Sequence, residues 1–193
     1  MIMSSRETIL QAVTMNKPTL TDLPEMDLTL TIKYQDPIKQ FIGMVEAAGA
    51  QVFYENSRSD LLNDLVELKA EGKLMINLLE NSGDEDLANL KASELETLDT
   101  CYLRAELGVA ENGAMWISEK QMVNRLLPFI CQHLVIVLNP LDIVNNMHEA
   151  YQQIDTLISG FGVFIAGPSK TADIEQNLVI GAHGSRSLRI YLI

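Results

Sequence analysis

Short apolar runs alternate with segments of helical periodicity along the first half of this 193-residue chain. Asp36-Pro37 predicts the start of a helix that ends at Gly49, because Asp is a favoured N-cap and proline suits the first helical position. Residues 51–55 are then typical of a strand, residues 59–72 of a helix with leucines at helical spacing, and residues 74–78 of a strand. This alternation predicts an α/β fold in which a mainly parallel sheet carries helices on both faces.

The second half of the chain contains a hairpin signal. Apolar runs at 105–110 and 115–118 flank Glu111-Asn112-Gly113, and Asn-Gly between two apolar runs is typical of a β-hairpin. We expect ligand sites at the carboxyl ends of the parallel strands, where the connecting loops of such a sheet gather. Further strands are predicted at 133–138, 161–166 and 188–192, and further helices at 124–132 and 146–159.

The chain is predicted to consist of an N-terminal helical arm, residues 1–35, and an α/β domain, residues 36–193. Within the arm, residues 4–15 favour a short amphipathic helix. The net charge is −12, of which −10 lies in residues 1–100 (8 Lys and Arg against 18 Asp and Glu) and −2 in residues 101–193 (6 against 8). Because no basic stripe is available to neutralise phosphates, this distribution argues against nucleic acid as a partner.

The lengths of the apolar runs and the spacing of the cysteines limit where the protein can be located and which cofactors it can carry. No apolar run reaches the length of a membrane span, and residues 1–15 lack the contiguous apolar core of a signal peptide, so we expect a cytoplasmic protein. The two cysteines, Cys101 and Cys131, lack Cys-x-x-Cys spacing. Neither an iron–sulfur cluster nor zinc is therefore expected on this chain, and no metal site is predicted. Both thiols are expected to be buried and reduced.

One stretch of the second half changes abruptly from apolar to polar residues. A buried strand is predicted over 163–166, and Gly167-Pro168 ends it. A helix capped by Ser169 or Thr171 is expected to start near Ala172. The free amides of a first helical turn attract anions, and Lys170 would add a positive charge. We therefore expect residues 167–172 to bind a phosphate or a carboxylate.

Asp173 and Glu175 follow directly and fall in the predicted first turn. Carboxylates there offset the helix dipole without any ligand, which accounts for at least one of them. A carboxylate beside a bound anion would repel it. If Asp173 or Glu175 faces the ligand, we expect it to contact a different group of that ligand.

Glu111 and His183 each have two open interpretations. Glu111 either flanks a hairpin in solvent or projects into a cleft as a general base, and the residues alone favour the first. His183 lies in Gly181-Ala-His-Gly184, just before Arg186, and is either a turn histidine or a titratable ligand contact. Arg125 is expected at the surface, although its guanidinium would suit a carboxylate.

Three segments resemble the LUD-domain family: Gly108-Val-Ala-Glu-Asn-Gly113, the run from Gly167 to Glu175, and the loop from Gly181 to Gly184. The resemblance covers residues 36–193, is strongest over 105–189, and implies a fold like that of the sugar-phosphate isomerases and CoA transferases. The chain departs from the family pattern at Asn112 and Ala114, where the family often has threonines, so no threonine nucleophile is available there. Ser185 stands where the family commonly has proline, which implies a less rigid loop.

The resemblance also implies the residues of a site. Glu111 and His183 become the catalytic candidates, and we expect their two turns to share one cleft with the strand–helix break. The ligand-binding candidates are Gly113, Gly167, Ser169, Lys170, Thr171, Asp173, Glu175, Gly184 and Arg186.

Proteins of this family are implicated in the oxidation of L-lactate to pyruvate together with iron–sulfur partner subunits. The resemblance therefore implies an accessory subunit of such a system, which binds a small anionic ligand and carries no cofactor itself. The iron–sulfur clusters are expected on the partner subunits. The alternative is a freestanding enzyme or binding protein for a phosphorylated or carboxylated small molecule.

Overall fold

The computed structural model describes residues 4–19, 21, 27–80, 85–154, 160–172 and 178–193. The described helices are α1 (Ser5–Met15), α2 (Pro37–Ala47), α3 (Ser57–Ala70), α4 (Glu85–Ala88), α5 (Glu119–Met122), α6 (Leu127–Ile130) and α7 (Met147–Gln153). The described strands are β1 (Gln51–Phe53), β2 (Met75–Asn77), β3 (Thr100–Arg104), β4 (Leu107–Val109), β5 (Met115–Ser118), β6 (His133–Leu138), β7 (Ile143–Val144), β8 (Gly162–Ile165), β9 (Lys170–Ala172), β10 (Leu178–Ile180) and β11 (Ser187–Leu192).

The main sheet has five strands in the order β1-β11-β6-β3-β2, and every neighbouring pair is parallel. Side chains alternate between its two faces along each strand. Leu134 and Ile136 of β6 pack in one buried cluster with Phe41 of α2. Val135 and Val137 pack in another, with Leu61 and Leu68 of α3. The sheet thus carries α2 on one face and α3 on the other, which confirms the predicted α/β fold.

Helix α2 begins where the sequence predicts. The carboxylate of Asp36 accepts a hydrogen bond from the amide of Lys39 at 2.9 Å, and Pro37 occupies the first turn. The helix ends at Ala47, and Gly49 follows with φ +95°, a conformation that favours glycine. Local cap chemistry therefore fixes both ends of this helix.

A second sheet of four strands, in the order β7-β4-β5-β8, packs beside the first. Strands β4 and β5 form the predicted antiparallel hairpin. Strand β8 was expected in the parallel sheet, but it pairs antiparallel with β5 at the edge of the second sheet, so that expectation is wrong. The physical reason lies at Gly162, where an added Cβ would be 2.2 Å from the indole of Trp116. A glycine there lets β8 approach the buried tryptophan of β5.

The expected start of a helix near Ala172 is also corrected, while residues 173–177 of that helix lie outside the described residues. Residues 170–172 form strand β9, which pairs antiparallel with β10. The amide of Gly181 continues this pairing with a 3.0 Å hydrogen bond to the carbonyl of Ser169. Ser and Thr favour turns as well as helix caps, and here the strand pairing decides between them. Asp173 and Glu175 lie outside the described residues.

No described residue of the N-terminal segment is buried. Helix α1 forms as predicted, with a capping box in which Ser4 and Glu7 exchange hydrogen bonds, but none of its residues is buried. Contact begins further on, where Asn146 donates to the carbonyl of Ile32 at 2.9 Å and Asn145 accepts from the amide of Tyr34 at 2.9 Å. The boundary at residue 35 stays a prediction. Among the described helices, none is long and apolar enough to cross a bilayer.

Candidate functional site

A cavity of about 230 Å³ lies between β8 of the second sheet and the loop that precedes β11. We call it the β8 pocket. Its described lining residues are Pro128, Phe129, Leu134, Val163, Phe164, Ile165, Ala166, Gly167, Ser169, His183, Gly184 and Ser185. Four of the predicted site residues therefore meet in it: Gly167, Ser169, His183 and Gly184.

The polar side of the β8 pocket is formed by Ser169, His183 and Ser185. The amide of Ser169 donates to the carbonyl of Ser185 at 2.8 Å, which joins the two motif segments. The Ser185 residue is only 4% exposed, yet its hydroxyl has no hydrogen-bond partner among the described residues. Since no fully buried side-chain oxygen or nitrogen in the described part of the chain lacks a partner, this hydroxyl keeps some access to solvent, and its residue lines the pocket.

The two loop glycines of the pocket allow close backbone approach. A Cβ added at Gly184 would lie 3.2 Å from the Cβ of Ser169, and one added at Gly167 would lie 3.0 Å from the Cβ of Ala48. Both distances are tighter than ordinary van der Waals contact. A larger residue at either position would push the loop away from its neighbour and change the pocket.

Glu111 does not line the β8 pocket. Its exposed carboxylate accepts a hydrogen bond of 3.1 Å from the amide of Met147, at the start of α7, where a negative charge also offsets the helix dipole. The adjacent Gly113, at φ +72°, packs against Val45 of α2. This arrangement matches the interpretation that the residues alone favoured, a carboxylate that flanks the hairpin.

The turn that carries Glu111 nevertheless lies next to the pocket. Met115 pairs with Ile165 in the antiparallel register of β5 and β8, and extending that register by two residues brings Gly113 opposite Gly167. Both glycines contact the C-terminal half of α2, at Val45 and Ala48 respectively. The motif segments are therefore neighbours, while the Glu111 carboxylate faces α7 rather than the shared space.

Residues 77–193 match the family model described as the LUD domain, more than half of the chain. The chain belongs to the LUD domain family. It is 34% identical to a protein named "Lactate utilization protein C" from Bacillus pumilus over 102 residues, which is 50% of this chain and 42% of that protein. The LUD chain thus matches less than half the length of that relative.

Two further relatives extend the comparison. A protein of Neisseria meningitidis serogroup B described as uncharacterized is 30% identical over 154 residues, 74% of the LUD chain and 66% of that protein. The crystal structure of a DUF162 family protein from Deinococcus radiodurans superposes with a TM-score of 0.59 over 83% of this chain and 98% of that one. At 14% identity, the latter shows the shared fold alone.

Neither cation of the predicted site lines the β8 pocket of the LUD domain. The ammonium of Lys170 lies over Gly49, 2.9 Å from where a Cβ would be, and so faces the negative end of the α2 dipole. The side chain of Arg186 packs over Gly181, 2.4 Å from where its Cβ would be. Among the described lining residues none is Lys or Arg. Within the described lining, serine hydroxyls and the His183 imidazole are thus the polar side-chain groups available to a ligand.

The pocket lies at the amino ends of the parallel strands, not at the carboxyl ends as expected. Ser185 precedes β11, and Leu134 is the second residue of β6. The loop that carries His183 joins the main sheet at this edge, and strand β8 of the second sheet forms the other side of the pocket. The side chains of Thr171, Asp173 and Glu175 lie outside the described part.

Arg125 is a surface residue, as expected. Its guanidinium contacts the Glu119 carboxylate at 2.6 Å and lies 4.8 Å from the ring centroid of Phe161. The hydrogen bond from Arg125 lowers the pKa of the exposed Glu119 carboxyl. A surface ion pair of this kind contributes little to stability.

Both cysteine thiols are buried and free. Burial raises the pKa of Cys131 to about 12 and that of Cys101 well above its ordinary value. Neither thiol is therefore a nucleophile at neutral pH. In the described ranges, no group of three or more His, Cys, Asp or Glu is placed to hold a metal ion.

Eight of the twelve described lining residues were not predicted as site residues, and Ser185 and Phe129 are the two that matter most for the chemistry of the pocket. Ser185 was noted only because the resemblance pointed to proline at its position, and a lone serine carries no signal by itself. Phe129 belongs to an apolar segment, and nothing in that pattern separates a core aromatic from one that lines a cavity. Only the placement of α6 against β8 distinguishes them.

Proposed function

We propose that this LUD domain is a subunit of a lactate utilisation system and binds a small carboxylic acid in the β8 pocket. Family membership and relatives that bear the name "Lactate utilization protein C" support the lactate role. The single observation that carries the binding site is the open hydroxyl of Ser185, nearly buried and without a partner among the described residues, beside Ser169 and His183.

A carboxylate suits these donors better than a phosphate does. Serine hydroxyls and an imidazole each donate one hydrogen bond to a carboxylate oxygen, and a carboxylate carries a single charge. A phosphate dianion is held more strongly by Lys or Arg, and the described lining lacks both. We therefore favour a 2-hydroxy or 2-keto acid as the ligand. The alternative, a freestanding enzyme with a phosphorylated ligand, fits these donors less well.

The domain is proposed to act with partners that carry the electrons. Oxidation of lactate to pyruvate releases two electrons and two protons. We assign the two electrons to iron–sulfur clusters of partner subunits, the hydroxyl proton to His183, which lines the pocket, and the proton from C2 to solvent. The LUD domain then contributes substrate binding and proton transfer.

The first test is ligand binding by the isolated chain. Lactate and pyruvate are expected to raise the melting temperature of the wild-type protein, and Ser185→Ala and His183→Ala are expected to weaken this shift at least several-fold. Glu111→Gln serves as the matched control, because its carboxylate lies outside the pocket. Equal shifts in wild type and both pocket variants would refute the proposed site.

The second test addresses the partners. The isolated chain is expected to be colourless and not to oxidise lactate with artificial acceptors. Turnover is expected only after reconstitution with iron–sulfur partner subunits. Lactate oxidation by the isolated chain would contradict the accessory role.

A further inference from the structure

We propose that the β8 pocket selects a 2-hydroxy or 2-keto acid whose side chain is longer than the methyl group of lactate. This inference rests on the proposed function, because it places the carboxylate at Ser169, His183 and Ser185. It adds a second subsite, formed by Pro128, Phe129, Leu134 and Val163, for the apolar part of the ligand.

The pocket lining is segregated by polarity. The hydroxyls and the imidazole come from Ser169 and the loop before β11. The remaining lining residues come from α6, the start of β6, and the strand β8 with the two residues after it, and none of them carries a polar side chain. Ligand sites of this composition use the polar groups to fix orientation and the apolar wall for affinity.

The apolar wall is larger than a methyl group can cover. Both Leu134 and Phe129 line the pocket, but Leu134 is 1% exposed and has almost no surface left to bury, whereas Phe129 is 43% exposed. With lactate bound, the exposed part of Phe129 would stay in contact with water. A longer aliphatic chain would displace water from Phe129, which is the favourable change in hydrophobic burial.

The expected gain follows from the burial of each added carbon. One buried CH₂ corresponds to about a fourfold increase in affinity. The series lactate, 2-hydroxybutanoate, 2-hydroxypentanoate and 2-hydroxy-4-methylpentanoate should therefore bind progressively more tightly, until the wall is covered. The 2-hydroxy carboxylate is the same in every member, so the series varies only the apolar part.

The experiment is titration calorimetry of the full chain with each of these four acids. Phe129→Ala removes the exposed part of the wall and should reduce the gain per carbon to less than twofold. The matched control is Leu141→Ala, an apolar residue 86% exposed outside the pocket, which should retain the wild-type gain. Circular dichroism establishes that both variants are folded.

Each outcome decides between the two proposals. Lactate binding that does not strengthen along the series overturns the second subsite and leaves the proposed function intact. If the gain in affinity per carbon persists unchanged in Phe129→Ala, the aliphatic chain of the ligand binds elsewhere. This result also overturns the subsite. Failure of all four acids to bind the wild-type protein overturns the carboxylate site and the subsite together. A gain lost in Phe129→Ala and kept in Leu141→Ala supports the proposal.

Discussion

Gly162→Ala is expected to destabilise the domain through a single steric conflict. The new Cβ would lie 2.2 Å from Cζ2 and 2.3 Å from Cη2 of Trp116, a residue that is 8% exposed and whose ring lies 4.9 Å from that of Phe164 in a tilted arrangement. Distances below 3.0 Å require a shift, and the rigid indole has no flexible end to give way. Overpacking of this kind costs about 1–3 kcal/mol. For a chain of this length, that corresponds to a loss of about 2–12 °C in melting temperature.

Two comparisons test whether the steric conflict is the cause of this loss of stability. Gly43→Ala serves as the matched control, because Gly43 lies on the exposed side of α2 with no heavy atom within 4 Å of an added Cβ. It should stabilise by about 0.5–1 kcal/mol, since alanine favours helix. In a Trp116→Phe background, Gly162→Ala should cost at least about 1 kcal/mol less than in the wild type. Urea unfolding of the four-protein cycle measures this coupling, and equal costs in both backgrounds would refute the steric argument.

Three further predictions concern individual side chains. Glu111→Gln should lower the free energy of unfolding by about 0.3–1 kcal/mol, through the weaker contact with α7, and should leave carboxylate binding in the β8 pocket unchanged in calorimetry. Lys170→Ala should likewise leave that binding unchanged while lowering the melting temperature slightly in calorimetric scans, because its ammonium faces the end of α2. Burial raises the pKa of Cys131 to about 12, so the unfolded chain ionises first as pH rises, and stability is lost upward from about pH 8.5. The decline in unfolding free energy between pH 8 and pH 10 should therefore be shallower in Cys131→Ala, and an identical slope would contradict this.

Elements with local signals were predictable from the sequence. The Asp36-Pro37 cap fixes α2 through contacts within four residues, and the Asn112-Gly113 turn fixes the β4–β5 hairpin. Both depend on backbone preferences that the sequence displays directly. The alternation of apolar runs likewise identified the main sheet, because a strand buried on both faces needs apolar residues throughout.

Local sequence signals could not predict to which sheet β8 belongs, or that β9 is a strand. The apolar run of β8 suits either sheet, and Trp116, which decides the matter at Gly162, is 46 positions earlier in the chain. Strand β9 carries residues that also suit a helix cap. Its state depends on pairing with β10, which no short-range pattern reports.

Charge near a motif was the least reliable guide to the site. Lys170 lies within the Gly-Pro-Ser run, yet the backbone places its ammonium at the C-terminus of α2. Ser185, with no charge and no pattern, offers the nearly buried free hydroxyl. The resemblance brought His183 and Ser169 into consideration as separate motifs. Their meeting depends on the 2.8 Å bond between the backbones of Ser169 and Ser185, which joins two loops that approach from different sheets.

Helix α2 explains why the motif segments are glycine-rich although Glu111 faces away from the pocket. Gly113 and Gly167 contact this helix one turn apart, at Val45 and Ala48. Any Cβ at these glycines would push the hairpin turn or the pocket loop off the helix. Since β5 and β8 are paired, a shift of the turn would also move the strand that lines the pocket. The Glu-x-Gly turn therefore positions the pocket through its backbone, and its link to function does not require the carboxylate to touch the ligand.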